Sequence, residues 1–172
     1  MRNKYLYLLL ISNALIILDQ ITKFLVTMSI PLHYSVKVVD GFFHITHIRN
    51  SGVAFGLFAN YNSEYKTLFF VGVSIIAIIA ILLFFHHTPN DNKLVQVGLI
   101  LVFSGAIGNL IDRAVHQEVI DFIDFFYKNF HWPAFNIADS CITVGVGLMI
   151  FDSFHKHPAP HSVSPDGKSV GN

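Results

Sequence analysis

Asp112, Asp121, Asp124 and Asp139 are the residues of this sequence best suited to chemistry, and Asp139 is the sharpest of them. It follows Ala134 by five positions in an otherwise apolar run that continues to Phe151. A carboxylate in such a run must be protonated, paired, or facing a polar pocket. Burial raises a carboxyl pKa, and a second carboxylate close by raises one of the two further, until the pair shares a single proton near neutral pH. Such a pair can hydrolyse a peptide bond without metal or covalent intermediate. One carboxylate takes a proton from water while the other, protonated, donates to the scissile carbonyl oxygen.

Three aspartates compete to partner Asp139. Arg113 follows Asp112 directly and offers it an ion pair, so a structural role is expected there. Asp121 and Asp124 both lie in Val119-Ile120-Asp121-Phe122-Ile123-Asp124-Phe125, whose apolar neighbours would hold either acid out of bulk water. Residue chemistry alone does not choose between these two, and it leaves open an interfacial acidic loop beside one satisfied buried aspartate. Asn136 and Asp139 are three apart, as are Asn109 and Asp112, so each pair is expected to share one helical face. Arg49 and Asn50, ahead of Gly52, suit either a lid over the site or a simple loop turn.

The elements that must position these groups belong in a bilayer. Of 172 residues, 53% are hydrophobic and 13% charged, against roughly a quarter charged in a typical soluble domain. Four stretches approach the ~20 apolar residues a span requires: Tyr5 to Val26, Thr67 to Phe85, Leu94 to Ile111 and Ala134 to Phe151. Only the second lacks strongly polar side chains. The first carries Asn13, Asp19, Gln20 and Lys23, the third Gln96 and Asn109, the fourth Asn136 and Asp139. A central Asp or Lys opposes insertion by about 2.5 to 3.5 kcal/mol, so these groups should face the bundle interior. Ser104 with Gly108, and Gly145 with Gly147, are expected to let helices approach closely. Arg2 and Lys4 before an apolar run imitate a secretory signal, but the run ends in Asp19-Gln20-Ile21 without a small-x-small cleavage site, so it is retained as the first span.

Four spans put both termini on one side, with the Thr27 to Lys66 and Asp112 to Pro133 loops together on the other. Lysine and arginine are nearly balanced between the sides, and only Arg2 and Lys4 favour an inside N-terminus. Ser35 to Val39 and Phe42 to Ile48 flank Asp40-Gly41 and predict a β-hairpin on the membrane surface. The second loop holds Phe122, Phe125, Phe126, Tyr127, Phe130 and Trp132, the aromatic enrichment of a bilayer interface. The prolines, glycines and serines after His155 predict a disordered tail.

Several function classes fall away. Eleven basic residues balance eleven acidic ones, so no basic field exists to attract nucleic acid. Cys141 is the single cysteine, which excludes an intramolecular disulfide or a cysteine-only metal site. Of ten histidines, seven form local groups at His44/His47, His86/His87 and His155/His157/His161, but these fall on opposite sides of the membrane and match no zinc spacing. No metal or cofactor is expected. Ser104 and Ser140 have no Gly-x-Ser-x-Gly setting and no histidine within the third and fourth spans, so packing is their expected role. The rival from another class is a four-span transporter in which Asp19 and Asp139 relay protons or bind a cation.

Five boxes, in order over nearly all of residues 5 to 152, resemble the bacterial lipoprotein signal peptidases, or signal peptidase II. They are Asp19-Gln20-Ile21-Thr22-Lys23, Arg49-Asn50-Ser51-Gly52-Val53-Ala54-Phe55, Gly105-Ala106-Ile107-Gly108-Asn109-Leu110-Ile111-Asp112-Arg113, Val119-Ile120-Asp121-Phe122 and Phe135-Asn136-Ile137-Ala138-Asp139-Ser140. The resemblance implies that Asp121 and Asp139 are a catalytic aspartyl pair, supported by Asp19, Lys23, Asn50, Asn109, Asp112, Arg113 and Asn136. It implies a mainly α integral membrane fold of four transmembrane helices, with a small periplasmic β-cradle at about residues 30 to 60 and both termini cytoplasmic. Residues 1 to 154 would form the peptidase domain and 155 to 172 a cytoplasmic tail. The expected substrate is a diacylglyceryl-modified prolipoprotein, cut before its lipidated cysteine at the outer face of the inner membrane by a monomer in contact with lipid. Two positions depart from the family pattern: Ser104, where glycine is frequent, and Gln117, where glycine often precedes the Val-Val-Asp box.

Overall fold

The computed structural model describes residues 4–52 and 63–155. Arg2, the Val53-Ala54-Phe55 end of the second box, most of the tail and its His157 and His161 lie outside the described residues. The elements run α1 (Lys4–Ser29), β1 (Ser35–Val39), β2 (Phe43–Asn50), α2 (Ser63–His87), α3 (Lys93–His116), β3 (Val119–Tyr127), β4 (Phe130–His131) and α4 (Ile137–His155). Each of the four helices is long and apolar enough to cross a membrane. Leu9, Ile17 and Phe24 on α1, Ile76 and Leu83 on α2, and Val144 and Ile150 on α4 point outward, as lipid-facing side chains must.

Helix α3 is the axis of the bundle, packing against α1, α2 and, most extensively, α4. The α3–α4 seam is set by small residues: a Cβ on Gly98 would lie 2.8 Å from the Gly145 carbonyl oxygen, and one on Gly145 would lie 2.5 Å from that of Gly98. Such backbone proximity is how helices associate where lipid gives no hydrophobic drive. Lower in the same seam it is Gly105, not Ser104, that meets the Ala138 carbonyl, while Ser104 Oγ turns back to Ile100 O at 2.6 Å. The close approach expected at Gly147 is absent among the described residues, none of which would come within 4 Å of a Cβ there.

The helix ends are closed by identifiable groups. Asn92 caps α3 by accepting a hydrogen bond from Val95 N at 3.3 Å. The expected spans undershoot most ends, because polar last turns such as Asp112 to His116 still form helix when no proline or glycine interrupts them. Helix α4 instead begins later than Ala134. Pro133 precedes that residue, and Phe135 is bridged to Ile123 of β3, which keeps the chain extended until Asn136.

The hairpin forms as the Asp40-Gly41 turn predicts, with Gly41 at φ 72°. It extends into a four-stranded antiparallel sheet of order β1-β2-β3-β4. The segment expected to be an aromatic loop is strand β3. Its apolar residues serve both faces, so the alternation that marks a half-exposed strand is missing. Between Ile45 and Ile48, β2 spends one residue more than β3 spends between Ile123 and Asp121. This bulge re-aims the strand end that carries Asp121.

Candidate active site

Asp121 sits on β3, 2% exposed, between two amides. Asn50 at the end of β2 donates Nδ2–H to Asp121 Oδ2 at 3.0 Å, and Asn136 donates to Oδ1 at 2.8 Å. Asn136 was expected inside a helix, sharing a face with Asp139. It is instead the N-cap of α4, its Oδ1 accepting from Asp139 N at 2.9 Å. One side chain therefore holds Asp121 through its amide N–H and the backbone of Asp139 through its amide oxygen. Asp139 lies in the first turn of α4 rather than deep within it, and its Oδ1 accepts from Asn109 Nδ2 of α3 at 2.7 Å. Asn109 and Asn136 are themselves joined at 3.3 Å.

Behind this layer lies a buried ionic cluster. Lys23, 1% exposed, places Nζ 2.8 Å from Asp19, 2.8 Å from Asp112 and 3.2 Å from Asn109 Oδ1. Its charge offsets two carboxylates that could not otherwise stay buried. Asp112 therefore pairs with Lys23 rather than with its neighbour Arg113, because adjacent residues on a helix point in different directions. Asp112 also accepts from Ile120 N at 3.2 Å, tying α3 to the strand one residue before Asp121. Asp19 reaches across from α1 to accept from Ala138 N at 2.9 Å, closing the first turn of α4.

Gln20, expected to face the bundle interior but absent from the nine site residues, donates to Asp112 Oδ1 at 2.9 Å, Asp19 Oδ2 at 3.2 Å and Gly108 O at 3.2 Å. Its place beside Asp19 in the box that also carries Lys23 was the available signal. Arg113 is half-buried and donates to Asn109 O at 3.3 Å, with Asp139, Asp112 and Asp121 within electrostatic reach. All nine residues expected at the site thus fall in one connected set.

Asp124 is elsewhere. Three positions along a strand reverse the face, so it turns away from Asp121. There its carboxylate lies 2.9 Å from His131 Nδ1 and 3.7 Å from His44 Nδ1, with Phe126 packed against both imidazoles. Among the described residues no cluster of three or more histidine, cysteine or acidic side chains is arranged to hold a metal ion.

The electrostatics of Asp121 follow from its setting. Its carboxyl is pushed up to about 6, chiefly by burial. The Asn50 hydrogen bond opposes that rise, the negative charge of Asp139 adds to it, and Asn136 and Lys23 oppose it again. Beside Asp139 a cavity of about 330 Å³ opens, lined by Trp132, Phe135, Ser140, Thr143 and Val144, so water and an apolar chain can both approach that carboxylate.

A four-span helical bundle with a small sheet at one end, holding two carboxylates in a common amide frame, defines a multi-pass membrane protein with an acidic centre. The family model for signal peptidase (SPase) II matches residues 11–155. The chain belongs to that peptidase family. It is 45% identical to the lipoprotein signal peptidase of Desulforapulum autotrophicum over 88% of this chain and 94% of the relative, and 44% identical to that of Geobacter metallireducens over 88% and 93%. Among solved structures, two described as bacterial membrane enzymes share its fold. One, 36% identical, has a TM-score of 0.75 and covers 96% of this chain and 94% of its own. The other, 37% identical, has a TM-score of 0.76 and covers 88% and 94%.

Proposed function

We propose that this chain is an aspartic endopeptidase of the inner membrane that removes signal peptides from diacylglyceryl-modified prolipoproteins, cutting before the lipidated cysteine with water activated by Asp121 and Asp139. The observation that carries this reading is the shared frame of the two acids. Asn136 binds Asp121 and caps the turn bearing Asp139, Asn109 binds Asp139, and the Asp139 charge acts on Asp121. In the reaction one carboxylate takes the water proton as oxygen attacks the scissile carbonyl, and the other gives its proton to the carbonyl oxygen. Collapse of the tetrahedral intermediate then breaks the C–N bond, with the departing amine taking a proton from the pair. A lipid-bearing substrate meets these acids at the end of a bundle, where bilayer and water are both within reach.

In this reading the site faces the periplasm, both termini are cytoplasmic, residues 1 to 154 form the peptidase domain, residues 155 to 172 are a tail, and the enzyme works as a monomer. The test is cleavage by the purified protein in lipid of a diacylglyceryl-modified prolipoprotein and of its unlipidated form, each with and without EDTA. Cleavage of the lipidated form alone, unchanged by EDTA, is expected. A folded protein that cuts neither substrate, or EDTA-sensitive cleavage, would refute the reading.

A further inference from the structure

Helix α2 is the most lipid-exposed of the four, and it packs on the bundle through α3. At its site-facing end Phe70 is among the side chains that turn inward. It is half-buried, and two residues lie against its ring. One is Gly52, at φ 79°, where a Cβ would fall 3.0 Å from Phe70 Cε2 and Cζ. Gly52 N donates to Asn50 Oδ1 at 2.8 Å, which orients the amide that donates to Asp121. Also against the ring is Arg113, its guanidinium carbon 5.7 Å from the ring centroid, within the range of a cation–π contact.

Arg113 differs from the other cation of the site. Lys23 is held by two carboxylates, whereas among the described residues no carboxylate lies within ion-pair distance of Arg113, although Asp121 and Asp139 act on it electrostatically. Its hydrogen bond to Asn109 O and its contact with the Phe70 ring hold it in place. A guanidinium placed over an aromatic face keeps its N–H donors in a fixed plane. Those donors are suited to a carbonyl oxygen gaining negative charge, or to the carboxylate that hydrolysis creates.

We infer that Phe70 is a positioning residue of the peptidase site, a seat from which α2 sets both the Asn50 turn against Asp121 and the Arg113 guanidinium beside the acidic pair. The inference rests on the proposed peptidase reading. It makes α2 part of the catalytic apparatus although it lends no acid or amide to the pair.

The test compares wild type, Phe70→Leu, Phe70→Tyr, Arg113→Lys and the Phe70→Leu/Arg113→Lys double variant for kcat, KM and the pH profile of cleavage of a lipidated precursor, with thermal unfolding in detergent as the control for folding. Phe70→Leu keeps apolar bulk and removes the ring face. It is expected to lower kcat roughly tenfold with little change in KM, and to move the limb near 6 upward, because a loosened Asn50 no longer holds Asp121 down. Phe70→Tyr is expected to stay within about twofold of wild type. The double variant is expected to lose less than the product of the two single losses, as groups acting through one contact do. A folded Phe70→Leu with wild-type kcat and pH profile, equal losses in Leu and Tyr, or multiplicative losses in the double variant would each overturn the inference. Absence of cleavage by wild type would instead refute the peptidase reading.

Discussion

Helix α1 carries a lysine near each end, and the two are used in opposite ways. Lys4 donates to three backbone carbonyls at the end of α2, those of Phe85 at 3.0 Å, His86 at 2.8 Å and Thr88 at 2.9 Å. That cation ends a helix through backbone groups that any sequence supplies, with the Phe85 ring, its centroid 5.5 Å away, adding a side-chain contact from α2. Among the described residues the Lys23 ammonium meets only side chains, the acids of Asp19 and Asp112 and the amide oxygen of Asn109, and it is almost wholly buried. Its partners must be particular residue types at particular places. The bundle end that closes backbone groups is expected to tolerate sequence change, and the end that gathers side chains from three helices and a sheet is expected not to.

The contrast can be broken or sharpened by substitution. At the gathered end, Asp121→Asn or Asp139→Asn should each lower kcat by about 10³-fold or more without unfolding the bundle, because an amide keeps the size and loses the proton. Asp124→Asn, on the far face of the same strand, should remain substantially active. Cleavage kinetics on a lipidated precursor check all three, and a dead Asp124→Asn beside an active Asp121→Asn would reverse the pairing. Lys23→Met should destabilise by about 3 to 5 kcal/mol, since it leaves two buried carboxylates without their cation. Its unfolding midpoint in detergent reports this, and a midpoint equal to that of wild type would remove the ionic cluster from the account. Lys4→Met should lose only about 1 kcal/mol by the same measurement, with kcat unchanged. The smallest effect is expected at Gln117, which closes α3 in the left-handed region at φ 64°. Gln117→Gly should raise stability by roughly 0.5 to 1 kcal/mol, and a loss would show that the Gln117 side chain supports the turn.

Gln117 also shows what the sequence made legible. A position that departs from a family glycine proves to be one where the backbone favours glycine, so the departure was informative before its geometry was known. The four helices were readable because bilayer length and low charge leave few alternatives, and the β1–β2 hairpin because Asp40-Gly41 names its turn. Strand β3 was not, since aromatic residues on both faces hide a period of two. With the strand hidden, Asp121 and Asp124 looked equivalent, although three residues along a strand place them on opposite faces. Asn136 was misplaced within a helix for a related reason. A cap and a first-turn residue have the same spacing as two residues on one helical face, and only the extended Pro133 to Phe135 segment distinguishes them. The seats of Gln20 and Phe70 depend on contacts between distant segments, which periodicity does not encode.

The central claim is that Asp121 and Asp139 behave as one coupled pair. Its most direct test is the titration of the Asp121 carboxyl, followed by infrared difference spectroscopy of its C=O stretch against an Asp121→Asn reference, in wild type and in Asp139→Asn. Burial and the Asp139 charge hold Asp121 at about 6, so the transition should lie near that value in wild type and fall in Asp139→Asn, where the amide keeps the volume and removes the charge. An Asp121 transition that does not move when Asp139 becomes asparagine would mean that the two acids are uncoupled, and would contradict the account.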